Sequence, residues 1–123
     1  MAIDFITIFT DKLKESIQFY ETILTMKVVR EVDAGAGITL VFLADEKGTT
    51  IELVDNGAAR EVVKDSPVAL TSVVASIDEA LKMVEEKNVA LTFGPVTTPG
   101  GVSLFHVKDP NGVIVNFVEM GGE

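Results

Sequence analysis

Apolar and polar positions divide this chain into segments of two periods. In residues 102–119 (VSLFHVKDPNGVIVNFVE), two runs rich in Val, Ile and Phe flank Asp109-Pro110-Asn111-Gly112. β-Branched and aromatic residues favour extended backbone, Asp-Pro opens a turn, and Asn-Gly tolerates the positive φ that a chain reversal needs. The stretch therefore predicts a β-hairpin. Few charges lie on either face of its arms, which implies a sheet covered on both sides. The same pattern occurs in residues 38–55 (ITLVFLADEKGTTIELVD), where Asp45 and Gly48 frame the turn.

The two hairpins are 64 residues apart. Applied without a gap, that spacing sets Asp45 on Asp109, Gly48 on Gly112, Ile51 on Val115, Val54 on Val118 and Gly57 on Gly121. Upstream it sets Leu13 on Ile77, Glu15 on Glu79, Ile17 on Leu81 and Tyr20 on Val84. Agreement in turn chemistry, strand apolarity and helix period indicates an internal duplication. Each unit, roughly sixty residues, is too small to close a good core alone.

Each unit reads as β-α-β-β-β. Residues 3–9 predict a strand, with Thr10 or Asp11 as the cap of an amphipathic helix over residues 12–24. Leu13, Ile17, Tyr20 and Leu24 form its apolar stripe, with Phe19 and Ile23 beside them. A strand over 26–32, a glycine-rich turn over 33–37 and the first hairpin complete the first module, residues 1–57. The polar stretch 58–67, bounded by Gly and Pro, is the connector. The second module, 68–123, repeats the order. It has a strand over 68–74, a capping box from Ser76 and Glu79, and a helix over 77–87 with its stripe at Ile77, Leu81 and Val84. A short strand over 89–93, a Gly/Pro loop over 94–101 and the second hairpin follow. At 123 residues, both modules are expected to share one domain.

Composition narrows the function classes. Hydrophobic residues make up 47% and charged residues 24%, as in an ordinary globular protein. No apolar run reaches the roughly 20 residues that span a bilayer, and the N-terminus reads as a strand and not as a signal peptide. The absence of cysteine excludes a disulfide framework and thiolate chemistry, and makes the cytoplasm the expected compartment. A net charge of −9, from 19 acidic and 10 basic residues, opposes binding to nucleic acid and mildly favours a cationic ligand. There is no phosphate-cradling glycine loop, nucleophile elbow or zinc-spaced cluster.

The duplicated β-α-β-β-β order, together with Asp11, Ser16, Ile17, Phe19 and Tyr20 around the first helix and Asp-Pro-Asn-Gly in the last hairpin, resembles the vicinal oxygen chelate superfamily. That superfamily includes glyoxalase I, extradiol dioxygenases and bleomycin-binding proteins. The resemblance covers essentially the whole chain and implies an α+β fold. Two tandem modules would form a curved mixed sheet, a cup, with helices on its outer face. It also implies a homodimer, with the cup built within one chain or by exchange of modules between two.

In metal-dependent members, four ligands, typically His or Glu, face into the cup. The resemblance carries those positions to Phe5, Glu52, Ala69 and Asn116. Phe5 and Ala69 have no donor atom, and an amide is a weak ligand for a divalent cation. No metal or other cofactor is therefore expected. Glu52 is the best candidate for chemistry, as a general base or as the holder of a cationic or hydroxyl-bearing ligand. The bland reading is a carboxylate hydrogen-bonded to Thr7, Thr71 or Asn116.

Strand parity assigns the cup lining to Phe5, Thr7, Phe9, Val41, Glu52, Val54, Ala69, Thr71, Val73, Phe105, Asn116 and Val118, a mostly apolar small-molecule site. Across a four-residue turn Phe105 pairs with Asn116. That assigns His106, the only histidine, to the helix-facing side as a structural residue. The function expected is metal-independent binding of a small cationic or aromatic compound. The alternative is a glyoxalase-like lyase or dioxygenase-type enzyme whose divalent metal is completed by non-standard ligands.

Overall fold

The computed structural model describes residues 1–121 and resolves into two compact units, Met1–Val62 and a second that begins at Val63. Their boundary falls inside the connector. Each unit is an open four-stranded mixed sheet with one helix, so the chain is an α+β protein of two tandem βαβββ modules.

In the first unit, β1 (Ile6–Phe9), α1 (Leu13–Ile23), β2 (Lys27–Gly35), β3 (Ile38–Ala44) and β4 (Thr50–Asp55) give the strand order β1-β4-β3-β2. The outer pair β1–β4 is parallel and the others are antiparallel. The core lies between sheet and helix. Ile8, Val41, Leu43, Ile51 and Leu53 meet Phe19, Tyr20 and Ile23 there, with Met26 beside them. Burying side chains of this size removes each from water at roughly 1.5–3 kcal/mol apiece.

Relative to the expected stripe, the buried face of α1 is turned by one position. Ser16, Phe19, Tyr20 and Ile23 are buried, whereas Leu13, Ile17 and Leu24 are half-buried. Ser16 is tolerated in that core because its hydroxyl lies 3.2 Å from that of Thr10, itself 1% exposed. Neither expected cap serves in the usual way. Thr10 Oγ1 accepts the Lys12 N–H at 2.9 Å, and Asp11 turns outward to accept the Arg60 N–H at 2.8 Å.

The second unit repeats the plan as β5 (Ala69–Val73), α2 (Ile77–Glu86), β6 (Phe93–Thr97), β7 (Ser103–Lys108) and β8 (Ile114–Glu119), in the order β5-β8-β7-β6. Ala80 and Val84 of α2 are buried, as are Phe105, Val107, Val115 and Phe117 of the sheet; Phe105 and Phe117 stack at 5.1 Å. Ser76 caps α2 by accepting the Glu79 N–H, and Glu119 Oε1 accepts the Ile77 N–H at 2.7 Å. A carboxylate at a helix N-terminus also meets the positive end of the helix dipole. The short strand expected over 89–93 lies instead at Phe93–Thr97, within the stretch expected to be a loop. Residues 88 and 89 close the helix, with Asn88 at φ 59° and the Val89 N–H bonded to Val84 O. Pro95 is accommodated because β6 is an edge strand.

The duplication is reproduced bond for bond at the hairpin turns. Asp45 Oδ1 accepts the N–H groups of Lys47 and Thr49, and Asp109 Oδ1 accepts those of Asn111 and Val113. The Gly48 N–H reaches Asp45 O, and the Gly112 N–H reaches Asp109 O, with φ of 90° and 92°. Each hairpin is closed by hydrogen bonds between Asp and the residue after Gly, so the loop contains three residues, with glycine in the left-handed region. A four-residue turn had been expected. A shift of one residue moves every side chain of a strand to the other face.

The two turns differ in their surroundings. The second carries the connector: the Val63 N–H donates to Asn111 O, Lys108 Nζ donates to Lys64 O, and a Cβ on Gly112 would collide with the Val63 backbone. Nothing lies within 4 Å of a Cβ on Gly48. Gly48→Ala is expected to cost about 1 kcal/mol, the strain of a left-handed alanine, whereas Gly112→Ala should cost at least about twice that because the connector must also move. Urea denaturation of both variants checks the order.

Asp11 provides a pH-dependent tie to the connector. The Arg60 N–H, and secondly the Lys12 ammonium, hold its carboxyl below the ordinary aspartate range. A depressed folded-state value means that the stabilisation is present at neutral pH and is lost as pH falls through that lowered value. The Arg60 amide proton signal should hold steady down to the ordinary carboxylate range and move only below it. In Asp11→Ala that titration should vanish, as followed by amide NMR from pH 6 downward.

Candidate functional site

The side of the first sheet away from α1 carries its polar group in a row. Register places Thr7 beside Glu52, Glu52 beside Phe42 and Phe42 beside Arg30, across all four strands. Phe9, Val54, Leu40 and Val32 form the next row. Thr7 Oγ1 donates to Glu52 Oε1 at 2.7 Å, so the half-buried carboxylate keeps one bonded oxygen and one that can take a further donor. Phe5 packs edge-on against Phe42 at 5.2 Å, and the Arg60 guanidinium lies 5.3 Å from the centroid of the half-exposed Phe9 ring. The arrangement is a carboxylate fixed by a hydroxyl, flanked by aromatic surface.

The second sheet has a matching row: Thr71, Asn116, His106 and Phe93. Ala69 and Ile114 stand on one side of it, and Val73, Val118, Leu104 and Val96 on the other. Asn116 Nδ2 donates to Thr71 Oγ1 at 3.4 Å, while Asn116 Oδ1 is buried with no hydrogen-bond partner among the described residues. The imidazole of His106 lies 5.0 Å from the Phe93 ring.

Of the residues expected to line the site, Phe5, Thr7, Phe9 and Glu52 come together on the first face, and Ala69, Thr71 and Asn116 on the second. Val41 and Phe105 do not. Val41 pairs with Leu53 and Phe105 with Phe117; both are fully buried on the helix side. The three-residue loops are the reason, since they put Phe42 opposite Glu52 and His106 opposite Asn116. His106 is thus on the candidate face and not behind it. The Asp-x-x-Gly spacing in both hairpins was the signal for this, because glycine at its fourth position marks a three-residue loop. The place of Arg60 depends on tertiary contacts with Asp11 and Phe9, which leave no local pattern.

The donor set does not suit the divalent metal of the metal-dependent relatives. Phe5 and Ala69 have no donor atom, the amide of Asn116 is a weak neutral ligand, and Glu52 alone does not make a divalent site. Among the described residues, no group of three His, Cys, Asp or Glu side chains is placed to hold an ion.

No helix among the described residues is long and apolar enough to cross a membrane. Comparison with solved structures shows the fold widely shared. Glyoxalase I of Leishmania major superposes with a TM-score of 0.78 and 25% identity, over 97% of this chain and 86% of that one. A point mutant of glyoxalase I from Zea mays superposes with a TM-score of 0.82 at 17% identity, over 98% of this chain and 46% of the maize chain. This chain therefore spans less than half the length of the maize enzyme. A glyoxalase family protein from Bacillus cereus matches with a TM-score of 0.79 at 15% identity, over 99% of this chain and 95% of that one. No curated protein matches the sequence. The family model of the Glyoxalase/Bleomycin resistance protein/Dioxygenase superfamily matches residues 2–117, and the chain belongs to that superfamily.

Proposed function

We propose that this chain binds a small, partly apolar organic molecule through the exposed sheet faces, without a protein-held divalent metal. The carrying observation is the donor set. Two of the four positions that would ligate a metal are Phe5 and Ala69, which have no donor atom, and Glu52 is the one strong donor among them. A carboxylate with one free oxygen beside Phe5 and Phe42 suits a ligand that carries an ammonium, amidinium or hydroxyl group on an aromatic body. Sequestration of such a cationic or aromatic compound is the activity proposed, in a cytoplasmic homodimer. Support for the dimer comes from the exposed Val29 of β2 and from Val68 just before β5, apolar surface that a second copy can cover.

A second reading is a glyoxalase-like lyase. The likeness to the Leishmania major glyoxalase I, at 25% identity over nearly the whole chain, favours it. It requires a divalent metal completed by ligands from outside the family positions.

Elemental analysis of purified protein, followed by titration with Ni²⁺, Zn²⁺, Mn²⁺ and Fe²⁺, separates the two. The expected result is no stoichiometric ion and no saturable uptake. One ion per chain, lost in Glu52→Ala and accompanied by chelator-sensitive lyase activity, would overturn the proposal. Benzamidine serves as a cationic aromatic probe. Glu52→Gln should weaken its binding by about tenfold or more, the loss of one charge-assisted hydrogen bond, with little change in thermal midpoint. Equal affinity in both proteins would remove Glu52 from the site.

A further inference from the structure

We propose that the second sheet's face holds a recognition site of its own, in which Asn116 and His106 grip the edge of a planar, uncharged heteroaromatic ring bearing an N–H group. The inference rests on the small-molecule reading above and gives this face a chemistry different from that of Glu52.

The starting point is an unmet hydrogen bond. Asn116 Oδ1 is buried and has no partner among the described residues. A buried amide oxygen left so is costly, and native proteins keep few of them. Turning the amide over does not relieve the deficit. Thr71 Oγ1, at 3.4 Å, would then serve the oxygen, and the amide NH₂ would become the orphan. In either orientation one polar atom of the amide lacks a partner among the described residues.

The duplication shows that the first module has no such deficit. Its equivalent pair is closed: Thr7 Oγ1 donates to Glu52 Oε1 at 2.7 Å. Opposite Glu52 stands Phe42; opposite Asn116 stands His106. The second module thus has a neutral amide where the first has a carboxylate, and an imidazole where the first has a phenyl ring. Charge is lost, and one ring that both accepts and donates hydrogen bonds is gained.

Neighbouring groups define the shape of the ligand. Phe93, 49% exposed, lies beside His106 with its ring centroid 5.0 Å from the imidazole and an interplanar angle of 37°. A flat ring laid on Phe93 brings its edge toward His106 and the half-buried Asn116; rotation of the Asn116 side chain then presents Oδ1 to a ligand N–H, while a ring nitrogen can meet the imidazole. Ala69, Thr71, Val96, Leu104 and Val118 are uncharged, and the charged side chain on this face is Lys108, opposite Ile114. A neutral ring is favoured over a cation there.

The single histidine makes the test direct. In tag-free, full-length ¹³C,¹⁵N-labelled protein the Hε1–Cε1 correlation of His106 is one signal. Benzimidazole, which has an N–H, and 1-methylbenzimidazole, which lacks it, are the probes. Benzimidazole should shift the His106 signal and the Asn116 side-chain amide saturably, with the methylated probe weaker by about tenfold, the worth of one hydrogen bond. Asn116→Leu should abolish the shift at His106 while keeping or raising the thermal midpoint, since an orphaned polar group has been removed. A purely structural asparagine would instead lose stability. Equal binding of the two probes, an unmoved His106 signal up to the solubility limit of benzimidazole, or wild-type binding in Asn116→Leu would each overturn the proposal. Shifts confined to the backbone amides of Thr7 and Glu52 would overturn it while leaving the broader small-molecule reading intact. Shifts at neither face would count against both.

Discussion

Everything on the exposed faces depends on the length of two loops. Asp45 and Asp109 each gather two backbone N–H groups from the residues that follow, and a glycine at positive φ completes a three-residue reversal. That geometry fixes which residue of one arm stands opposite which residue of the other. Period two then propagates the choice along the strands, so an aspartate and a glycine at the end of a hairpin decide the chemistry of side chains well away from them. The same two groups explain why the halves of the chain correspond at all levels, from turn to register to core.

Much of this is legible in the amino-acid sequence. Hydrophobic periodicity gave both helices and most strands, and the repeat spacing gave the tandem modules. The family followed from the motif around Ser16 and Tyr20 and from the last turn. What failed was parity. A four-residue loop would put Val41 and Phe105 on the outer face and His106 behind it; the three-residue loops do the reverse. Strand β6 was misplaced because closure of α2 consumes Asn88 and Val89, a tertiary choice that local propensity does not record. The outward turn of Asp11 toward Arg60 joins residues far apart in sequence, and no short-range pattern encodes it.

The two modules present faces with one plan and two chemistries. Thr7 with Glu52 presents a charged acceptor already steadied by a hydroxyl; Thr71 with Asn116 presents a neutral amide that is not satisfied. Phe42 and His106 mark the same contrast one strand further on. The superfamily fold supports such changes because the core lies on the other side of each sheet, where Leu53 and Phe117 pack irrespective of what faces outward.

Strand β8 shows how closely the two sides are nevertheless joined. On one side it carries the amide of Asn116; on the other, Glu119 accepts the first N–H of α2. The strand is thus fastened lengthwise by a helix that never touches the outer face. Translation of β8 along its axis would uncap that helix in the same movement that displaced the amide. Position on the outer face is in this sense held from behind, and a change made beneath the sheet reaches the face as a displacement of the whole strand.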